Sequence, residues 1–276
     1  MRNIDSRTVA GFGDEWTTFD QSALSQTELM NLFNQYFAIF PWDELPRDPL
    51  GFDLGCGSGR WARAVAPRVT WLHCIDPSQA AIAVAKKTLE GQRNCSFHVA
   101  GVDDIPLDDG SMDFGYALGV LHHVPNTFDG INSCVAKLKP GAPLLLYLYY
   151  AFDNRPVWFR ALWKGSDAIR RRVSALPYRL QNGISFGIAA AIYWPLARLS
   201  ALLERRGVNV DAVPLSYYRH RSFYVMQTDA RDRFGTSLEH RFTAGEIREM
   251  MQRAGLERIQ FSPNVPYWCA VGFKKH

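Results

Sequence analysis

The run Gly51-Phe52-Asp53-Leu54-Gly55-Cys56-Gly57-Ser58-Gly59-Arg60-Trp61 constrains the fold more than any other part of this 276-residue chain. A buried-strand pattern delivers an acid, Asp53, then glycines at three alternate positions, then a helical segment. Glycine lets the backbone turn tightly and lets a ligand lie against it with no Cβ in the way. The helix start that follows offers free backbone N–H groups. A dinucleotide loop needs Gly-x-Gly-x-x-Gly; here the third glycine comes one residue early and Arg60 stands in the expected place. A Walker loop ends in Gly-Lys-Ser/Thr, which is absent. Asp53 would repel a phosphate but can pair with a cationic amino acid. A ligand with an ammonium and a sulfonium therefore suits the loop better than a pyrophosphate.

The surrounding pattern is that of a parallel sheet covered on both faces. Strands are expected at residues 50–54, 71–75, 96–99, 112–118 and 144–150, and helices at 60–65, 79–89 and 127–138. Ahead of them, Leu24, Leu29, Leu32, Phe33, Tyr36, Phe37 and Phe40 predict a one-sided helix between Ser22 and Phe40, broken by Pro41 and Pro46. Near the end, Thr243 with Glu246 three residues on is a capping box for a helix over 243–254, which Gly255 terminates. Two last strands are expected near 256–261 and 268–274. The division expected is an N-terminal helical cap (1–49), a core (50–150), a mostly helical insertion acting as lid (151–242), and a final helix and strands (243–276).

The insertion differs in texture. Residues 151–242 carry 15 Arg/Lys against 7 Asp/Glu, a balance of +8, so the rest of a chain of net charge +4 is −4. Such a segment faces an anionic substrate or a negatively charged surface such as a membrane, or is a solvated face whose arginines snorkel over apolar neighbours. Residues 180–197 have no charge, but Asn182, Gly183, Ser185, Gly187 and Pro195 dilute them. A buried or interfacial helix fits better than a membrane span, with peripheral membrane contact expected through 183–203.

With 47% hydrophobic and 21% charged residues the chain is globular. Its overall charge is too mild for a nucleic-acid binder. Five scattered cysteines, with no Cys-x-x-Cys pair, argue against a metal site or a disulfide framework and suit a reducing compartment. A polar start carrying Asp5, Asp14 and Glu15 is no signal peptide, so a cytoplasmic location is expected.

Asp53 to Gly59 resembles the first motif of the class I S-adenosylmethionine-dependent methyltransferases. Further pieces follow in that family's order: His73-Cys74-Ile75-Asp76-Pro77-Ser78, Asp103-Asp104-Ile105-Pro106-Leu107, Ser111-Met112-Asp113-Phe114, Leu118-Gly119-Val120-Leu121-His122-His123-Val124, and Leu138-Lys139-Pro140-Gly141-Ala142. The nearest resemblance is to the branch of quinone-ring and other small-molecule methyltransferases. It implies a Rossmann-like, doubly wound α/β sheet of seven strands, the seventh antiparallel, with the insertion after the fifth. It implies S-adenosylmethionine as cofactor and S-adenosylhomocysteine as product. Cofactor contacts then fall on Asp53, Gly55, Cys56, Gly57, Gly59, Asp76 (the ribose hydroxyls), Pro77, Val102 and Asp103 (the adenine side), Leu118 and Gly119. Many relatives have an acid where this chain has Gly101. The run Gly11-Phe12-Gly13-Asp14-Glu15-Trp16-Thr17-Thr18-Phe19 resembles a cap that folds over the cofactor in some bacterial relatives. Phe12 and Trp16 either stack near the cofactor or lock the N-terminal segment. Tyr217-Tyr218-Arg219, the run from Thr228 to Thr236, and Glu239-His240-Arg241-Phe242 resemble a bacterial branch whose substrate the residues do not name.

Methyl transfer is a displacement that asks for alignment and exclusion of water. An oxygen acceptor also needs a base, for which histidine is the usual choice. His122 and His123 follow the fourth strand, where the methyl group would point; they are bases, orienting groups or structural loop residues. Tyr147 and Tyr149 share a strand face beside Tyr150 and either hold an aromatic or lipid-like acceptor or pack the core. Tyr217, Arg219 and Arg233, grouped with Arg221, Arg231, Arg241 and Asp229, recognise a carboxylate or phosphate or form an internal Asp–Arg network. Cys56 is a packing residue. The expected function is methylation of a small-molecule acceptor, lipophilic or bearing an anionic group. A polar anionic metabolite is the alternative, and a non-catalytic binding module the rival from another class. No Asn-Pro-Pro-Tyr motif or Pro-Cys pair points to nucleic acid, and oligomeric state is not legible.

Overall fold

In a computed structural model, which describes residues 2–21, 23–210 and 213–276, seven strands form one sheet. Ser22, the expected start of the first helical pattern, lies outside the described residues, as do Asp211 and Ala212 of the insertion. The strands are β1 (Leu50–Leu54), β2 (Trp71–Asp76), β3 (Cys95–Val99), β4 (Phe114–Leu118), β5 (Pro143–Tyr147), β6 (Leu256–Phe261) and β7 (Cys269–Lys274), in the order β3-β2-β1-β4-β5-β7-β6. The first five pair in parallel, and β7 runs antiparallel to both neighbours. All of β4 is buried, as expected of a central parallel strand. Between β1 and β4, Gly51 pairs with Phe114 and Phe52 with Gly115. A Cβ on Gly51 would stand 2.1 Å from the Phe114 ring, and one on Gly115 2.2 Å from the Phe52 ring, so each glycine makes room for its neighbour's ring.

Five helices precede the insertion: α1 (Ser6–Thr18), α2 (Gln26–Tyr36), α3 (Ala62–Val65), α4 (Gln79–Thr88) and α5 (Thr127–Lys137). Asp5, Ser25, Ser78 and Asn126 cap α1, α2, α4 and α5, each side chain accepting a backbone N–H of the first turn. Leu121, Ile131, Leu138, Leu144, Leu146, Ile247 and Met251 are fully buried in the core around the sheet. Each such side chain contributes on the order of 1.5–3 kcal/mol by leaving water.

The chain divides into two compact units, Met1–Ala151 with Leu238–His276, and Phe152–Ser237. The second holds α6 (Val157–Val173), α7 (Tyr178–Ile188), one π-helical turn (Ala189–Tyr193), α8 (Trp194–Arg205) and α9 (Phe223–Gly235). Its own core contains Val173, Ala189, Tyr193, Ala197, Met226, Ala230 and Phe234. Residues 238–242, read from sequence as the end of the insertion, belong to the first unit. Past Tyr147 the chain changes partner: Phe242 N donates to Tyr149 O (2.9 Å) and Ala151 N to Phe242 O (2.8 Å). That exchange also ends β5 three residues before the expected 150. After it, α10 (Ala244–Arg253) starts on the expected Thr243–Glu246 capping box.

Candidate active site

The loop after β1 is held by the end of β2. Gly55 N and Cys56 N both donate to Ile75 O (2.7 and 3.1 Å), while Asp76 accepts from Gly57 N through Oδ2 (3.0 Å) and from Ser78 N through Oδ1 (2.8 Å). Gly55, Gly57 and Gly59 all have positive φ (71°, 53° and 77°), the conformation that excludes other side chains. Burial pushes the Asp76 carboxyl up to about 6 against the pull of its two backbone bonds. Asp53 sits on β1 between Cys74 and Tyr116 in the sheet register and is 1% exposed. Burial pushes its carboxyl up to about 8, with the Tyr116 hydroxyl opposing and the Asp76 charge adding. Asp53 Oδ2 has no hydrogen-bond partner among the described residues. Cys56 is buried; the Cys74 thiol bonded to it works the other way, but burial raises its own thiol to about 11, which leaves it an inert packing residue. Pro77 follows Asp76 directly, ahead of the Ser78 cap.

Helix α1 lies over this loop. A Cβ on Gly57 would meet the Trp16 indole at 2.8 Å, and one on Gly13 would meet Ser78 Oγ at 2.6 Å, so the contact is close on both sides. One turn before Trp16, the Phe12 ring packs on His123 at 5.0 Å. Both residues thus share the site-facing side of one helix, as their spacing of four requires. The segment ahead of α1 closes over the loop after β3: Asn3 N donates to Asp103 Oδ2 (3.0 Å), and Asn3 exchanges two side-chain bonds of 2.8 Å with the Asn126 backbone. Ile4 covers Gly101, where a Cβ would approach Ile4 Cδ1 to 2.2 Å, so an acid there would not fit this arrangement. Val102 is buried beside it, and the Asp103 carboxylate is engaged with the chain's own N-terminal segment.

The second half of the site is aromatic. Leu118 ends β4, and the N–H of Gly119 directly after it donates to Tyr147 O (3.1 Å). In the 3-10 turn that follows, Leu121–His123, His122 is fully buried and stacks on Tyr149 at 3.8 Å. Neither of its ring nitrogens has a hydrogen-bond partner among the described residues. Burial first, then the neighbouring His123 and Arg241, hold it well below the usual histidine range, so it is neutral. His123 Nδ1 lies 2.7 Å from Leu238 O, an acceptor only, which assigns the proton to Nδ1 and leaves Nε2 basic in the neutral ring. Tyr147 meets Tyr149 at 5.7 Å and Tyr36 of α2 edge-on at 5.0 Å; Tyr36 in turn packs on Trp61 at 4.6 Å.

Two residues of this cluster, Tyr36 and Glu239, are absent from the site residues read from the sequence. Tyr36 stands there only as one apolar position of a helix and Glu239 only within the run Glu239-His240-Arg241-Phe242. Arg241 stands there among the arginines read as binding a carboxylate or phosphate or as an internal network. In the structure Glu239 pairs with Arg241 Nε (2.7 Å), Arg241 lies over the Tyr149 ring (4.9 Å), and His240 N donates to His122 O (2.8 Å). The other arginine candidates lie in the second unit within networks of that unit. Arg219 Nε bonds Glu204 (2.8 Å), and Arg233 bonds Ser166 (3.2 Å) and stands 3.9 Å from Asp167. Tyr217 packs on Tyr218 at 5.2 Å under the Arg221 guanidinium.

The strand order, the antiparallel β7 and the acid-and-glycine loop at the carboxyl end of β1 together mark one fold. The chain has the fold of the class I S-adenosylmethionine-dependent methyltransferases. Residues 52–146 match the family model of a methyltransferase domain. The chain is similar to a ubiquinone biosynthesis O-methyltransferase of Xanthomonas campestris pv. campestris, 30% identical over 121 residues that make up 43% of this chain and 49% of that one. The same enzyme of Xanthomonas euvesicatoria pv. vesicatoria is 29% identical over 163 residues, 58% of this chain and 63% of that one. The chain thus spans about half the length of the first of these relatives. Among solved structures, a SAM-dependent methyltransferase from Aquifex aeolicus superposes with a TM-score of 0.51 at 13% identity, over 93% of this chain and 96% of that one. The matched core is therefore similar to quinone-type enzymes, while residues 1–51 and 147–276, the whole second unit among them, lie outside the family model.

Proposed function

We propose that this protein transfers a methyl group from S-adenosylmethionine to a small-molecule acceptor with a lipophilic or aromatic body. The observation that carries the reading is that α1 touches both halves of the site, Trp16 against the glycine loop and Phe12 against His123. The residues fit the cofactor: Gly55, Gly57 and Gly59 form a cradle that a Cβ would fill, Asp76 closes the second strand, and the buried Asp53 carboxyl, one oxygen of which has no partner among the described residues, would give up its proton to face a cationic ligand. Bound there, S-adenosylmethionine would supply an activated methyl group on a sulfonium. The chain's own residues exclude water through α1, orient the acceptor between Tyr36, Tyr147 and Tyr149, and take a hydroxyl proton at His123 Nε2. Arg241, held by Glu239, positions Tyr149.

The Xanthomonas relatives, named ubiquinone biosynthesis O-methyltransferases, support O-methylation as the reaction class. A polar anionic metabolite bound by Arg219 and Arg233 is the less supported alternative, because both guanidiniums already serve partners inside the second unit. The test incubates the protein with methyl-labelled cofactor and cell extract, then partitions the products between organic solvent and water against a heat-killed control. Label in the organic phase is expected. Label confined to the aqueous phase would favour the polar metabolite, and no label transfer would reject catalysis in favour of a binding module. In parallel, Gly57→Val should abolish calorimetric binding of S-adenosylhomocysteine; an unchanged Kd would remove the loop from the site.

A further inference from the structure

The helix Tyr178–Arg205 in the second unit is built inside out. Its buried positions are small or polar: Gln181, Ser185, Ala189, Ala197 and Ser200, with Tyr193 the one large ring among them. Its large apolar side chains point outward, with Leu180, Phe186, Ile192 and Leu199 each about half exposed. Only 22% of its most apolar 18-residue window is buried. Residues 180–197 carry no charge, a length of about 27 Å at 1.5 Å per residue. Exposed apolar surface of this extent is rare on a solvated domain and marks a surface that something covers.

We infer that the helix docks along the surface of a bilayer containing anionic lipid. Charge selects this occupant. Residues 152–237 carry 14 Arg/Lys against 6 Asp/Glu, a balance of +8; the uncharged stretch is bracketed by exposed Arg179 and half-buried Arg198, and the helix ends on exposed Arg205 and Arg206 after Glu204. A second copy of the chain would set +8 against +8, whereas an anionic surface gains roughly 1 kcal/mol per Lys or Arg brought near it. At the C-terminal end an open groove of about 440 Å³ is lined by Arg198, Arg205, Arg219 and His220 beside Ala201 and Leu202. Arg219 and His220 bond Glu204 and Arg198 bonds the Arg219 and Arg221 carbonyls, so exposed Arg205 is the guanidinium there suited to a lipid phosphate. Trp194, 40% exposed, lies under the Arg198 guanidinium at 4.0 Å, an aromatic and cationic pair of the kind that sits at headgroup level.

The helix lies in the interface and does not cross it. Its inner face packs on α9, which carries Asp229, Asp232 and the buried Arg231, and Arg231 bonds Asn182 of the helix itself. Those groups could not enter hydrocarbon without losing their partners. An amphipathic helix of this kind sinks its apolar face into the headgroup boundary and keeps its other face in protein or water.

Co-sedimentation of the purified full chain with vesicles tests this, without cofactor or acceptor, so the outcome is independent of the methyl-transfer reading. Binding is expected to vesicles of phosphatidylcholine with phosphatidylglycerol and not to phosphatidylcholine alone, with loss at high salt and release by alkaline carbonate. The double variant Arg205→Gln, Arg206→Gln should lower the partition coefficient about 30-fold. Ile184→Asp with Phe186→Asp should lower it by roughly ten-fold or more at unchanged circular dichroism. Equal binding to both vesicle types, or none, would overturn the proposal. So would resistance to carbonate, which means a span, or a solution dimer that Ile184→Asp dissociates, which means a self-interface.

Discussion

Buried under the glycine loop with its carboxyl raised to about 8, Asp53 holds a proton at neutral pH that the unfolded chain would have released. Its folded-state value lies above the unfolded one, so the folded chain binds more protons and stability falls as pH rises towards 8. Asp76, raised to about 6, contributes in the same direction over a lower window. Between pH 6 and 8 the slope attributable to Asp53 is at most about 1.4 kcal/mol per pH unit. Asp53→Asn should flatten urea-unfolding midpoints over that window, and between about pH 4 and 6 it should leave only the part of the slope due to Asp76. Parallel profiles for the two proteins would mean that Asp53 is ionised in the fold. His123 gives the kinetic counterpart. His123→Ala should slow an oxygen-directed transfer on the order of 10²-fold or more while the Kd for S-adenosylhomocysteine stays the same. A turnover that does not change would reduce His123 to the residue that ties the loop to Leu238.

Element by element, what was legible followed local rules, and what was not depended on distant partners. The capping box at Thr243 appears in the structure with both reciprocal bonds, Glu246 N to Thr243 Oγ1 at 3.2 Å and Thr243 N to Glu246 Oε2 at 2.7 Å. Thr243→Ala should therefore cost about 1 kcal/mol, a fall of roughly 2–4 °C in Tm for a unit of this size. A fall of less than half a degree would show that packing of Ile247 and Met251 alone holds the helix. The β1 strand and its loop were equally plain, because apolar runs and glycine spacing are properties of neighbouring residues. Helix α1 was not, since Gly11, Gly13 and the three charged residues Arg7, Asp14 and Glu15 hide its periodicity; its docking depends on Gly13 meeting Ser78 and Trp16 meeting Gly57, contacts far apart in the chain. The aromatic half of the site was partly legible: His122, His123, Tyr147 and Tyr149 fall near known motifs, whereas Tyr36 and the Glu239–Arg241 pair reach them only through folding.

At the scale of the whole molecule, the chain passes between its two units only at residues 151–152 and 237–238, and each unit has a hydrophobic core of its own. Every residue assigned here to cofactor binding lies in the first unit. A ligand that binds only the folded form of one unit stabilises that unit by mass action, by about 2.7 kcal/mol at a hundred times its Kd. Scanning calorimetry of the full chain should then resolve two transitions. Saturating S-adenosylhomocysteine should raise one of them by roughly 5–10 °C, as expected for a unit of about 190 residues, and leave the other in place. Gly57→Val should cancel that shift without moving the second transition. If both transitions rise together, the second unit shares in holding the cofactor; if a single transition moves as a whole, the units do not unfold independently. If neither moves, the glycine loop does not bind it.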